Sequence, residues 1–368
     1  MRIREIHLYQ KDLPVKGGSY KLARTEVKSL DSSIVEIITD TGLKGYGETC
    51  PIGPVYQPQH ALGARAALCE LAPHLIGLNP LHIQSVRRIM DESLNGHNYA
   101  KAAIDIALWD IAGKHFNMRV CDLLGGALRE NIPSYYATSV SAPEKTAAMV
   151  KEKIAEGYTR IQVKVGGRPL EEDLAAIRLV AEVLKPGIRL AIDANRGWTT
   201  RDVMFISQQC ADIAFVLEQP CNTLDEILKV RPMLRHPVYL DENTEDIAVV
   251  LRAISSGVCD GFGLKVTRLG GLSVMRMVRD LCQIHSMPHT CDDSWGGDII
   301  AAACTHIGAT VDPKLSEGVW LAEPYIEGHY DSHNGIHIKG GFIALPKGPG
   351  LGVYPDEGVL GKALVSFA

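Results

Sequence analysis

An α/β fold is expected for this chain: a TIM-like (β/α)7β barrel with an N-terminal α+β capping domain that the C-terminal tail completes. Three observations lead there. The apolar runs Leu190–Asp193, Phe215–Glu218, Val238–Asp241 and Gly261–Lys265 each end in a charge, and they recur about every 25 residues, the period of a βα unit. Strand, loop and helix patterns alternate from about residue 132 onward. A mixed unit precedes this region and a Gly/Pro-rich tail follows it, so the expected division is 1–125 cap, 126–321 barrel and 322–368 tail packing back on the cap.

In the cap, Ile3–Tyr9 and Ser33–Thr39 read as strands, the second turning at Asp40-Thr41-Gly42 into a short strand Gly45–Glu48. Helices are expected from about His60 to Ile76 and from Tyr99 to His115, with Leu123-Leu124-Gly125-Gly126 closing the helical part. Two irregular loops, 17–30 and 50–56, have the length and composition of lids or of plain connections. The barrel strands are Pro133–Ala137, Arg160–Val165, the four runs above, Pro288–Asp292 and Glu317–Trp320, with helices near 143–156 and 170–185. A doubly wound open sheet is the alternative. It usually carries a glycine-rich phosphate turn after its first strand, and none stands here.

The 368 residues, with 46% hydrophobic and 22% charged side chains, are those of an ordinary globular protein. A net charge of -5 with dispersed basic residues argues against nucleic-acid binding. No apolar run reaches membrane-span length, and the first residues alternate like a strand rather than a signal peptide. Nine scattered cysteines without a Cys-x-x-Cys pair point away from zinc ribbons and disulfides, and toward a reducing cytoplasm.

The chemistry lies at the strand ends. Asp193, Glu218 and Asp241 on neighbouring strands would repel one another unless a cation sat between them, and an all-oxygen set suits Mg²⁺ before Mn²⁺. The competing reading is that each acid caps the following helix. Lys164 and Lys265 end the second and sixth strands, across the barrel from each other. A lysine beside a divalent ion is expected to have a lowered pKa and to act as a base. Metal and opposed bases together suggest proton abstraction next to a carboxylate, through an enediolate that the metal stabilises.

With these residues in place, the sequence resembles the enolase superfamily, in its mandelate racemase/muconate lactonising subgroup, over essentially its whole length. Asp193-Ala194-Asn195, Glu218-Gln219-Pro220, Asp241-Glu242 and Lys265 through Gly271 stand at the family's motifs. The resemblance implies that Asp193, Glu218 and Asp241 hold the metal, that Lys164 and Lys265 are the acid/base pair, and that the protein is a homo-oligomer acting on a small molecule. One departure is Gln162-Val163-Lys164, where the subgroup often has Lys-x-Lys.

Within the subgroup the chain is similar to enzymes of hydroxyproline metabolism, through Gly47–Pro51, Gly96–Lys101, Cys291-Asp292-Asp293, Trp295–Asp298 and Trp320. That resemblance implies a substrate site including Tyr56, Gln162, Asn195, Asp292, Asp293, Trp295, Trp320 and Lys28, with aromatic faces and an acid suited to a ring ammonium. Lys28 in place of an aromatic residue, and Ser294 in place of Ala, favour a free imino acid over a betaine. The expected reaction is dehydration of cis-3-hydroxy-L-proline to Δ1-pyrroline-2-carboxylate. The alternatives are 2-epimerisation of 4-hydroxyproline betaine or proline betaine, N-acylamino acid racemisation, and a barrel that binds without catalysis.

Overall fold

The computed structural model describes all residues, 1–368. The cap begins with β1 (Ile3–Pro14), the hairpin β2 (Tyr20–Lys21) and β3 (Glu26–Val27), then β4 (Ser29–Thr39) and β5 (Lys44–Thr49). Helices α1 (Ala61–Leu71), α2 (Ile83–Ser93), α3 (Asn98–Phe116) and α4 (Val120–Leu123) follow. The barrel region then runs β6 (Asn131–Pro133), β7 (Tyr136–Ala137), α5 (Pro143–Ala155), β8 (Arg160–Lys164), α6 (Leu170–Val183), β9 (Arg189–Asp193) and α7 (Thr200–Gln209). It continues β10 (Val216–Glu218), α8 (Leu224–Val230), β11 (Val238–Leu240), α9 (Ile247–Ser256), β12 (Gly261–Lys265), α10 (Val266–Leu269) and α11 (Leu272–Ile284). Last come β13 (His289–Asp292), α12 (Asp298–Ala309), β14 (Ile338–Lys339), β15 (Phe342–Ala344), α13 (Glu357–Leu360) and β16 (Val365–Phe367).

Seven strands, β7 through β13, pair in sequence order, and every pair is parallel. Their apolar side chains, such as Ile161, Val163, Ile192, Leu217 and Leu264, are fully buried, as expected for strands covered on both faces. The expected eighth strand is a correction. Glu317–Trp320 forms no ladder; single parallel bridges, Ser134 with Val319 and His289 with Ser316, join this segment to both edges of the sheet. Gly318 (φ +95°) bends it out of extended geometry. The expected first strand also divides, because β6 pairs antiparallel with β15 while β7 pairs with β8.

The cap sheet has the order β16-β1-β4-β5 and is antiparallel, so the last residues of the chain do join its edge. The rest of the tail behaves differently: β14 and β15 build onto β6. Behind the cap sheet, α3 is buried on nearly every face. Gly47 on β5 is what permits the close approach, since a Cβ there would lie 1.7 Å from the Ala103 carbonyl oxygen of α3. On its other side α3 meets the barrel region, where Asp105 accepts the Ser273 N–H at 2.9 Å and the Trp109 indole donates to Ser273 at 2.9 Å. The helix expected over 60–76 is shorter, ending as a 3-10 turn, and α2 was not anticipated. No helix is long and apolar enough to cross a membrane. All nine cysteines are unpaired, and all but Cys69 are buried.

Candidate active site

Parallel register carries the charged residues to one end of the sheet. Lys164 pairs with Asp193, Asp193 with Glu218, and Lys265 with Asp292. Ligand oxygens of Asp193, Glu218 and Asp241 lie within 4.8 Å of one another, all buried. The helix-cap alternative fails here. Thr199 and Thr223 cap α7 and α8 through capping boxes, and Asp246 caps α9, which leaves the three acids free to converge. Both oxygens of Glu218 lack any hydrogen-bond donor, Arg160 approaches no nearer than 3.7 Å, and a buried carboxylate so placed between two others is a strong demand for a cation. The donor set therefore fits a hard divalent metal.

The acids are held by neighbours that surround them. Asn195 donates its amide to Asp193 (3.1 Å) and to Glu242 (3.1 Å), and its backbone N–H also reaches Asp193 at 2.8 Å. Asn195 thus braces a carboxylate and does not stand on the cavity wall expected of it. Gln219 accepts the Asp241 N–H at 2.9 Å and so pins the next strand end. Arg196 and Gln219 adopt φ +63° and +35°, and Asn195 +42°, a left-handed cluster that is costly outside glycine and concentrates at functional sites. The buried Arg268 guanidinium contacts Asp241 at 2.6 Å, and Tyr56 donates to the same carboxylate at 2.8 Å.

Charge follows from this packing. Burial pushes Glu218 up, and Asp193 adds to the rise. Burial and Asp241 do the same to Glu242. Burial would also raise Asp241, but Lys265 and Arg268 outweigh it and hold that carboxylate low. Lys164 contacts Asp193, and Lys265 lies 3.5 Å from Asp241 and 3.4 Å from Asp292. Burial favours the neutral form of both lysines, yet the adjacent carboxylates prevail and raise their pKa values. The protein's own carboxylates thus favour the charged amines, and the expected lowering rests on the divalent ion.

Lys164, Lys265 and Asp241 open onto one cavity with about 360 Å³ of empty space, mouth included. Gln162, Tyr56, Asp293, Trp295 and Trp320 line it as anticipated, with Ser294 beside them, and Tyr20, Leu22, Ile52, Tyr135 and Ala137 complete the wall without having been expected there. The aromatic wall is continuous: Tyr20 to Trp295, Trp295 to Trp320 and Trp320 to Tyr325 each have centroids 5.4 Å apart. Asp293 has its pKa raised to about 6, chiefly by burial, while accepting from the Thr267 N–H and hydroxyl. Asp292 does not line the cavity. Tyr135 (2.7 Å) and the Trp320 N–H (2.6 Å) occupy it, so it orients Lys265 from behind.

Lys28 is the clear miss. Its side chain is exposed and outside the cavity, because the β2–β3 hairpin turns Tyr20 inward against Val27 and leaves the residue after Val27 facing solvent. Alternation within 17–30 was too short to show which side chains turned in. Glu48 carries a role that its place at the end of a short strand does not reveal. It caps the start of α12 from the cap, accepting from Gly297 (2.8 Å) and Ile300 (3.1 Å), and this holds the Trp295 loop down.

Two family patterns cover most of the chain: the mandelate racemase/muconate lactonizing enzyme N-terminal domain over 4–125 and the enolase C-terminal domain-like pattern over 145–359. The chain belongs to this family. It is 39% identical to cis-3-hydroxy-L-proline dehydratase of Roseibium aggregatum over all of both chains. It is 28% identical to N-succinyl-L-Arg/Lys racemase of Bacillus cereus, over 99% of this chain and 98% of the other. A crystal structure of an enolase superfamily member from Roseovarius nubinhibens, complexed with magnesium, superposes with a TM-score of 0.94 at 33% identity, covering 100% and 99% of the two chains. The protein is an enzyme of this superfamily, in a group whose members include lyases and racemases.

Proposed function

We propose that this enolase superfamily enzyme holds Mg²⁺ through Asp193, Glu218 and Asp241 and removes the α-proton of a cyclic imino-acid carboxylate, with Lys164 and Lys265 as its acid/base pair. The lead reaction is dehydration of cis-3-hydroxy-L-proline to Δ1-pyrroline-2-carboxylate. The observation that carries it is the pair of lysines on strands flanking the acidic triad, both opening onto one cavity. When bound, the divalent ion would offset the negative charge that builds on the substrate carboxylate as the α-proton leaves. The same oxygen donors suit Mn²⁺.

In cis-3-hydroxy-L-proline the hydroxyl lies trans to the α-proton. One lysine takes that proton, the C–H electrons form a C=C bond as the C–O bond breaks, and the opposite lysine supplies the proton with which hydroxide leaves as water. The enamine then tautomerises to the cyclic imine. Asp292 behind Lys265 and Asp193 beside Lys164 fix where the two amines stand.

Substrate choice rests on similarity to the Roseibium dehydratase and on the wall. Trp295 and Trp320 offer faces to a ring ammonium, with Asp293 and Ser294 as polar partners. Lys28 contributes nothing to that choice. The aromatic wall also suits a quaternary ammonium, which keeps epimerisation of a proline or 4-hydroxyproline betaine as the second reading. We take the chain to divide at 1–125, 126–321 and 322–368, with the 315–319 segment closing a (β/α)7β barrel, and to act as a cytoplasmic homo-oligomer. Incubating protein and Mg²⁺ with cis-3-hydroxy-L-proline and with each betaine, followed by NMR, tests the reading. The cyclic imine is the expected product; a betaine epimerised while hydroxyproline stays intact overturns the lead.

A further inference from the structure

We propose that Glu323, His329 and His337 form a second metal site, for a borderline transition ion of which Zn²⁺ is the representative. One ligand atom from each lies within 4.8 Å of the other two. Two imidazoles and a carboxylate are the donors zinc takes and magnesium does not favour. The oxygen-only triad in the barrel is the opposite case, so the two sites divide hard from borderline ions.

The cluster has the backing that metal-binding histidines commonly show. His329 keeps Nδ1 on Asp298 Oδ1 at 2.8 Å, which orients the ring and makes it a better donor. Asp298 is itself fixed by the backbone N–H groups of Tyr330 (2.6 Å) and Ile336 (3.0 Å). His337 meets Glu323 at 3.3 Å, and the two imidazole centroids are 4.5 Å apart. Gly335 makes room for this: a Cβ there would sit 2.6 Å from His329 Nδ1. The His337 side chain is 48% exposed, leaving the site open to solvent and a position for water.

The location gives the ion a role. Glu323 begins the short 3-10 turn that carries Tyr325, which stacks on Trp320 of the cavity wall. Tyr330, next to His329, donates to Glu48 at 2.9 Å, the carboxylate that holds the Trp295 loop. Zinc joining 323 to 329 and 337 would clip the segment that backs the aromatic wall without entering the cavity.

The test is calorimetric titration of Zn²⁺ into metal-stripped full-length protein kept in excess Mg²⁺, for the native chain and for Glu218→Gln, His337→Ala and Glu323→Gln. Expected are one Zn²⁺ per chain, retention in Glu218→Gln, a loss of affinity of at least about tenfold in His337→Ala and in Glu323→Gln, and a zinc-dependent rise in Tm that His337→Ala lacks. Both clip residues are partly exposed, and circular dichroism checks that each variant is folded. Absence of zinc binding, its loss in Glu218→Gln, or its persistence at native affinity in both clip variants overturns the proposal.

Discussion

The ring of strand ends and the cap that covers it are built on different terms. In the ring, one parallel register sets Lys164, Asp193 and Glu218 side by side, and each side chain's place follows from its place in its own strand. In the cover, Tyr20, Leu22, Ile52 and Tyr56 reach the same cavity from two irregular loops, and their placement depends on a two-residue hairpin and on contacts with the barrel. Tyr20, for example, is held by donating to the Thr138 carbonyl at 2.9 Å. Regular structure concentrates charge, whereas irregular structure shapes what the charge meets. Reaction class and substrate choice should therefore come apart under mutation.

The largest effect is expected in the ring. Lys164→Ala or Lys265→Ala should lower kcat by roughly 10²–10⁴-fold, the usual worth of general acid–base catalysis, while Mg²⁺ still raises Tm; steady-state kinetics and thermal melts check both. Glu218→Gln separates charge from catalysis. It should abolish the Mg²⁺-dependent stabilisation, about 2.7 kcal/mol at a hundredfold excess over Kd. In EDTA it should stabilise the chain by about 1 kcal/mol, because burial and Asp193 already disfavour the charge on Glu218. Melts with and without metal read both signs.

The cover should respond more mildly and more selectively. Tyr20→Ala removes one side of the aromatic wall and should cost about tenfold in kcat/KM. Lys28→Ala should change it less than about twofold, since an exposed side chain away from any special contact contributes little. Kinetics of the two variants side by side measure the difference.

A last effect concerns stability at two buried histidines of the barrel region. Burial lowers His306 and His289 to about 4. His306 has both ring nitrogens engaged, at the Cys121 N–H (3.3 Å) and the Leu351 carbonyl (3.0 Å), which fits the neutral ring. Below about pH 6.5 the unfolded chain takes up protons that these rings refuse until about 4, so stability should fall as pH drops through that window. Urea unfolding at pH 7 and pH 5 should differ by roughly 1–2 kcal/mol per histidine.

Legibility in the sequence divides along the same line. Four apolar runs ending in charge were enough for the triad and Lys265, and the run Arg160–Val165 before them supplied Lys164, because strand period and chain order dictate the ring. The neighbours that make it work were visible as motif letters without their roles, and Asn195 read as a substrate group. Gln219 and Asn195 act through left-handed backbone and amide bonds, and Arg268 arrives from the helix after β12. Asp292 read as a substrate group because nothing local showed Tyr135 and the Trp320 N–H reaching it from distant parts of the chain. Glu317–Trp320 read as a strand because its side chains suit one, while Gly318 and single bridges make it a seam.

Following cis-3-hydroxy-L-proline by NMR in D₂O with Mg²⁺ tests the central claim most directly. The expected result is loss of the α-proton signal together with conversion to Δ1-pyrroline-2-carboxylate, both absent in Lys164→Ala and Lys265→Ala. Hydroxyproline left unchanged while a proline betaine gains α-deuterium without elimination would contradict it.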